Sequence, residues 1–271
     1  MDSQTRFPVS LVFAFTILLL VVQENCSVAQ TGTVDISGLG LDQAKDDKPN
    51  VMRIESVQPK SDRGLGGTPF GLTRNDFKAI KSSVSMFGTT IPIRVVEHLV
   101  LYQGDQLQSQ IIGTTPDFKL TGSVKIVKGS FLSQNDQRKG ENICVVNEPV
   151  ARQFFGESNP IGKSIRINKN FFMVVGIAKT RNPTSLKNER VIFVPLSTMQ
   201  FRFGDTHVET KKGRLNVSKV QLHEIQIHLN ETGDATKTFT QIRALLKKIH
   251  PKDDYLLFFK KKKPVNSNRN P

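Results

Sequence analysis

The chain has 271 residues, with 37% hydrophobic and 23% charged positions. That is enough for one large domain or two small lobes with real cores, and it excludes a wholly disordered chain. With 38 Lys and Arg against 24 Asp and Glu, the formal charge is +14. An export signal at the N-terminus turns that charge away from nucleic acid and toward acidic partners or anionic lipid headgroups.

Val9 to Val22 is an apolar run bounded by Pro8 and Gln23. It is short for a bilayer span and suits a signal-peptide core. Ser27-Val28-Ala29 supplies the small residues of a cleavage site, so residues 1–29 read as a signal peptide cut after Ala29. An uncleaved N-terminal membrane anchor is the alternative, because Asp2 offsets Arg6. If Cys26 leaves with the signal, Cys144 remains alone in an apolar run and reads as a small buried hydrophobe. The mature chain is expected to be exported to the periplasm, or tethered to the inner membrane by that anchor.

Residues 30–50, rich in Gly and Asp, read as a linker. Val51 to Val57 reads as a strand, and Ser61 to Gly71 as a Gly-rich loop. A short helix then starts at Thr73, with Asp76 placed for a capping box and Phe77, Ile80 and Val84 on one face. Thr90 to Tyr102 and Gln108 to Ile112 read as a hairpin turning at Gln103 to Gln106. Val124 to Ile126 is strand-like, and Asn142 to Val146 is a buried strand by composition. Asn147 caps the next helix, Pro149 sits in its first turn, and Val150, Ala151, Phe154 and Phe155 form its apolar face. Gly156 ends it.

Asn159 to Gly162 is a turn, and Ser164 to Ile167 pairs with Phe171 to Val175 around Asn168-Lys169-Asn170. Val191 to Val194 is a strand ending at Pro195, and Arg202 to Lys219 reads as polar loops. Gln221 to Leu229 alternates His223, Ile225, Ile227 and Leu229 against a more polar face, the pattern of a half-buried strand. Asp234 to His250 is the clearest helix, with Phe239, Ile242, Leu246 and Ile249 on one stripe. Tyr255 to Phe259 is a last short strand, followed by a basic disordered tail over residues 260–271. The whole is mixed α+β with many antiparallel strands.

No constellation of residues carries catalysis, a cofactor or a metal. Gly156 to Ser164 imitates a phosphate-binding loop but holds five residues between its glycines where four are required. It also follows a helix and opens a strand, the reverse of the order that aims amides at phosphate. His98, His207, His223, His228 and His250 are scattered, and no carboxylate or Cys completes a ligand set. Asp253-Asp254 reads as a loop or capping pair. Asn216-Val217-Ser218 and Asn230-Glu231-Thr232 fit a glycosylation sequon by pattern alone. The stripe on the 234–250 helix reads as a core face before a membrane-surface face. An exported basic binding module for anionic lipid or polysaccharide is the alternative reading, and its candidate contact with an anionic surface is the run Lys260, Lys261, Lys262 and Lys263.

Several pieces fall in a telling order: Gly113-Thr114-Thr115-Pro116-Asp117-Phe118, Lys128-Gly129-Ser130-Phe131, Val145-Val146-Asn147, Phe154-Phe155-Gly156, Asn159-Pro160-Ile161-Gly162-Lys163 and Val174-Val175-Gly176. Val194-Pro195-Leu196-Ser197-Thr198 and a His250 to Tyr255 ending follow. Together they resemble the periplasmic core domain of MacB-type ABC-transporter permeases, a group that includes FtsX-like and lipoprotein-releasing permeases.

The resemblance covers about Val51 to Phe259. It implies a two-lobed periplasmic domain, with one lobe from residues 51–112 and 220–259 and the other inserted as residues 113–219. It also implies relay of motion by protein contacts, without bond chemistry. The implied partners are an ABC-transporter permease or ATPase, or a periplasmic adaptor protein. Family permeases add four membrane helices and an ATPase, neither of which is read here.

Overall fold

The computed structural model describes residues 51–59, 69–180, 190–211, 214–230, 234–252 and 254–259. The signal segment, the linker, Gly64 to Gly67, Asp253, Glu231-Thr232 and the lysine tail lie outside them. The described part is α+β with mixed sheets and a few short helices, as expected.

The first half runs β1 (Val51–Ser56), α1 (Arg74–Val84), β2 (Gly88–Tyr102), β3 (Asp105–Thr114), a 3₁₀ turn (Pro116–Thr121), β4 (Val124–Gly129) and α2 (Gln134–Lys139). The second half runs β5 (Ile143–Asn147), α3 (Glu148–Phe155), β6 (Ser164–Ile167), β7 (Asn170–Thr180), β8 (Val191–Pro195), α4 (Leu196–Phe203), β9 (Thr206–Lys211), β10 (Arg214–Lys219), β11 (Glu224–Leu229), α5 (Ala235–Ile249) and β12 (Tyr255–Phe259).

One sheet carries the order β12-β1-β11-β2-β3-β8-β5-β7-β4, and β6 pairs with both β2 and β7. That extra pairing closes β2, β3, β8, β5, β7 and β6 into a ring. Side chains alternate across each strand, so every strand of the ring sends apolar residues to one interior. Val96 and Val100, Leu107 and Ile111, Ile192 and Val194, Cys144 and Val146, Phe172 and Val174, and Ile165 and Ile167 form a single buried cluster. Val150, Phe154 and Phe155 of α3 and Met199 of α4 complete it.

A second cluster lies on the other face of β3, β8 and β5. There Ile112, Phe193 and Val145 meet Phe118, Phe131 and Leu132. A third joins the two ends of the described chain: Met52 and Ile54 of β1 and Ile225 and Ile227 of β11 pack under Ile80 and Val84 of α1 and Ile242 and Leu246 of α5.

β7 leaves the ring to pair with β4, and a register shift makes this exit. Cys144 pairs with Val174, but Val145 pairs with Gly176, so Val175 is the extra residue of a bulge. The end of β4 lies against the bulge, where Ser130 N–H donates to the Val175 carbonyl at 3.1 Å. A Cβ on Gly176 would stand 2.2 Å from the Ser130 oxygen, and one on Gly129 would stand 2.3 Å from the Val175 oxygen. Lys128-Gly129-Ser130 and Val174-Val175-Gly176 are therefore two halves of one backbone crossing.

Four readings need correction. The β2–β3 turn has two residues, not four: Gln103 and Gly104 both take positive φ, at 49° and 97°. This is the combination whose twist suits a tight hairpin. The 202–219 stretch is not loop: β9 and β10 form their own two-stranded sheet, with Val208 opposite Val217. Its many polar residues hide a short alternation. Two helices were missed, α2 and α4. α2 has a full capping box between Ser133 and Asp136 but buries none of its residues, so it shows no apolar stripe. Finally, β11 is covered on both faces, with Glu224 and Gln226 buried as well as Ile225 and Ile227.

Candidate functional site

Several buried or half-buried polar groups meet around the first turn of α1. Thr73 caps the helix: Asp76 N–H donates to its hydroxyl oxygen at 3.2 Å, and Thr73 N–H donates to the Asp76 carboxylate at 2.6 Å. The same carboxylate lies 3.1 Å from His250 Nε2 at the end of α5. His250 Nδ1 lies 3.0 Å from Asp254, just before β12, and Asp254 accepts from Gly71 N–H at 2.9 Å. The ring is 8% exposed, so this Asp-His-Asp chain is sealed. It fastens α1, α5 and β12 to one another.

On the other side of the turn, Arg74 reaches Asp205, which joins α4 to β9. The contact is bidentate, with Nη1 and Nη2 donating to the two carboxylate oxygens at 2.8 and 2.6 Å. Arg94 of β2 adds a third hydrogen bond to Asp205 at 3.2 Å from a side chain that is 1% exposed. The Arg94 Nε is buried with no hydrogen-bond partner among the described residues.

Burial pulls the Arg94 guanidinium down to about 10; Asp205 opposes that shift and Arg74 adds to it. The hydrogen bond from Arg74 holds Asp205 below the usual carboxylate range, against a smaller effect of burial. Two cations share one carboxylate here, and removing that carboxylate would strand a buried charge.

A further charged layer lies on β1 and β11. Arg53 Nε stands 2.8 Å from Glu55 and 3.8 Å from Glu224, and its guanidinium lies 5.4 Å from the Phe258 ring centre. Gln226 donates to Glu224 at 2.9 Å.

The false phosphate loop forms no cradle. Gly156 N–H donates to Arg152 at the end of α3, Gly162 N–H donates to Val174, and Lys163 Nζ reaches Ser158 at 2.9 Å and lies over Phe155. The described histidines have different neighbours. His98 stacks on Phe203, the His223 Nδ1 accepts from Val95 N–H, and His228 contacts Gln226. No group of His, Cys, Asp and Glu among the described residues is arranged to hold a metal ion. Cys144 is buried in the ring, and burial pushes its thiol up. Lys260 to Lys263 lie outside the described residues.

These polar contacts join separate elements. What they can do is hold a joint. Arg74, Arg94 and Asp205 were not anticipated from the sequence. Arg94 alone leaves a signal there, as one charge inside the apolar run Ile91 to Val96.

The family model for the MacB-like periplasmic core domain matches residues 32–245. This chain belongs to that family. Among curated relatives it is 23% identical over 202 residues to the macrolide export ATP-binding/permease protein MacB of Bdellovibrio bacteriovorus, covering 74% of this chain and 29% of that protein. It is 36% identical over 75 residues to the MacB of Chlorobium luteolum, covering 27% and 11%. The pyoverdine export ATP-binding/permease protein PvdT of Pseudomonas aeruginosa is 24% identical over 144 residues, covering 52% and 22%. The chain thus spans under a third of the length of these relatives.

The crystal structure of the periplasmic region of MacB from Actinobacillus actinomycetemcomitans shares the fold, with a TM-score of 0.61 at 18% identity over 79% of this chain and 90% of that one. The extracellular domain of the transporter YknZ from Gram-positive bacteria does so at 0.58 and 15% identity, over 77% and 100%. No helix among the described residues is long and apolar enough to cross a membrane.

Proposed function

We propose that this chain acts without catalysis, outside the cytoplasm, as the MacB-like domain of a transport or envelope assembly, working through protein contacts. The carrying observation is the placement of the domain's two ends. β1 and β12 are antiparallel neighbours, and Met52 pairs with Phe259. Segments that precede and follow the domain therefore attach side by side, and movement there reaches α1 and α5 through the Asp76–His250–Asp254 chain.

The proposed lobes are residues 51–112 with 220–259, and 113–219. The β2–β3 hairpin is shared between them, because Val96, Val100, Leu107 and Ile111 pack inside the ring. The proposed partners are an ABC-transporter permease or ATPase, or a periplasmic adaptor. Crosslinking the full chain in its native cells, followed by mass spectrometry, should recover such a subunit. Recovery of no transporter or envelope component would overturn the reading.

A second reading rests on the run Lys260 to Lys263 directly after β12: contact with an anionic membrane surface. Removing residues 260–271 should abolish salt-sensitive binding to anionic liposomes. Unchanged binding would end that reading.

A further inference from the structure

Where β6 closes the ring, it pairs with β2 on one side and β7 on the other. The interior there takes Val100, Ile165, Ile167, Phe172 and Val174. Side chains alternate along a strand, so Leu99, Leu101, Ser164, Arg166, Phe171 and Met173 face outward. The register sets them out in order. Gln106, Leu101, Arg166 and Phe171 stand opposite one another across β3, β2, β6 and β7, with Leu99 and Met173 on either side of that row. Phe171 is 64% exposed, Met173 44% and Leu99 43%.

Apolar side chains scattered singly over a surface need no explanation, but these adjoin one another. They also surround a cation. Arg166 is exposed and forms no ion pair among the described residues. On this face the first carboxylate along β2 is Glu97, two positions beyond Leu99 and opposite Gln110. It stands at the border of the apolar group, so the face does not carry its own complement.

Phe, Met and Arg are residue types enriched where proteins meet. A surface that docks on lipid is instead ringed by Lys and Arg. Here the row is bordered by Gln106, Gln108 and Ser164, with Lys169 in the turn between β6 and β7. An arginine among apolar side chains is matched by a carboxylate, and the pair strengthens as water is excluded. We propose that the outer face of β2, β6 and β7 docks another protein, through a segment that sets one Asp or Glu, flanked by apolar side chains, on Arg166. This gives a surface to the protein contacts proposed above and rests on that reading. Both sides of β6 are already paired, so the segment lies on side chains and adds no strand.

The test uses the full chain in its native cells, with the photo-crosslinking residue benzoylphenylalanine in place of Phe171. After irradiation, mass spectrometry maps the attached peptide. It should come from another protein and carry a carboxylate between apolar residues. Arg166→Glu should lower the yield roughly tenfold or more, because it sets two like charges together. Changing the mapped carboxylate to lysine should then restore the yield. Arg166→Gln should lower it as well, and decides the matter if the glutamate variant does not fold.

A yield unchanged in folded Arg166→Glu or Arg166→Gln would overturn the proposal. So would a mapped peptide without a carboxylate, or attachment to lipid, to a second copy or to another segment of the same chain. If crosslinkers elsewhere on the chain recover a transporter or envelope subunit and position 171 recovers none, this face is wrong while the proposed function stands. If no position recovers one, both fall.

Discussion

The interior of the ring of six strands and the contacts at the first turn of α1 are held by opposite means. The ring interior is mainly apolar and owes its order to close packing, with Phe172 and Val174 fully enclosed. The α1 turn is held by carboxylates, an imidazole and two guanidinium groups that join elements far apart in the chain. Apolar packing is insensitive to charge and hard to rearrange. Hydrogen-bonded ion pairs depend on having a partner, and a new partner can replace an old one. The contrast separates a body held by packing from a joint held by polar contacts.

Four experiments bear on this contrast, the largest effect first. Phe172→Ala opens a cavity in the ring and should cost about 3 to 5 kcal/mol, read by chemical denaturation. Gly176→Ala drives a methyl group against the Ser130 carbonyl and should cost about 1 to 3 kcal/mol, with Gly129→Ala similar. If either variant matches the wild type, β4 does not cross β7 as described.

Asp205→Asn acts on the joint and should show its effect in the pH profile. The Asp205 carboxyl is held low in the folded chain, chiefly by the Arg74 hydrogen bond. Its contribution is complete above the unfolded value of about 3.9 and is lost as pH falls through the lower folded value. The variant should therefore be less stable near neutrality and lose less on acidification from about pH 6 to about pH 3. Parallel profiles for variant and wild type would remove Asp205 from the joint. Cys144 gives the smallest perturbation. Burial and a raised thiol leave it unreactive, so labelling by a thiol reagent in a Cys26→Ser chain should follow global unfolding; rapid labelling of the native chain would mean that the ring opens.

Much of the ring region was legible from sequence because its signals are local. Asn147, Pro149 and Gly156 frame α3, and the buried run that became β5 needs no partner to be recognised. The closure by β6 was not legible, since nothing in Ser164 to Ile167 says that Val100 and Leu101 lie beside it. The strand β11 was legible, but the burial of both its faces was not, for a related reason. Its Glu224 and Gln226 look like a solvent face until Arg53 and Glu55 of β1 are seen next to them. α4 carries Leu196, Met199 and Phe203 at helical spacing, but its start lacks a side-chain cap. At the joint, the capping role of Asp76 was readable. Its meeting with His250, distant in the chain, exists only in the folded structure.

The pairing of β1 with β12 also sets a mechanical property. Val51 and Phe259 lie at the same end of an antiparallel ribbon, so tension that draws them apart loads one rung of the ladder at a time, like a zipper. Such a geometry yields at low force, whereas strands pulled lengthwise share the load over all rungs. Traction on the two ends would thus peel β12 rung by rung from Phe259 toward Tyr255 and reach the tether at Asp254 and His250 only at the end of the ladder, with the ring of six strands still intact.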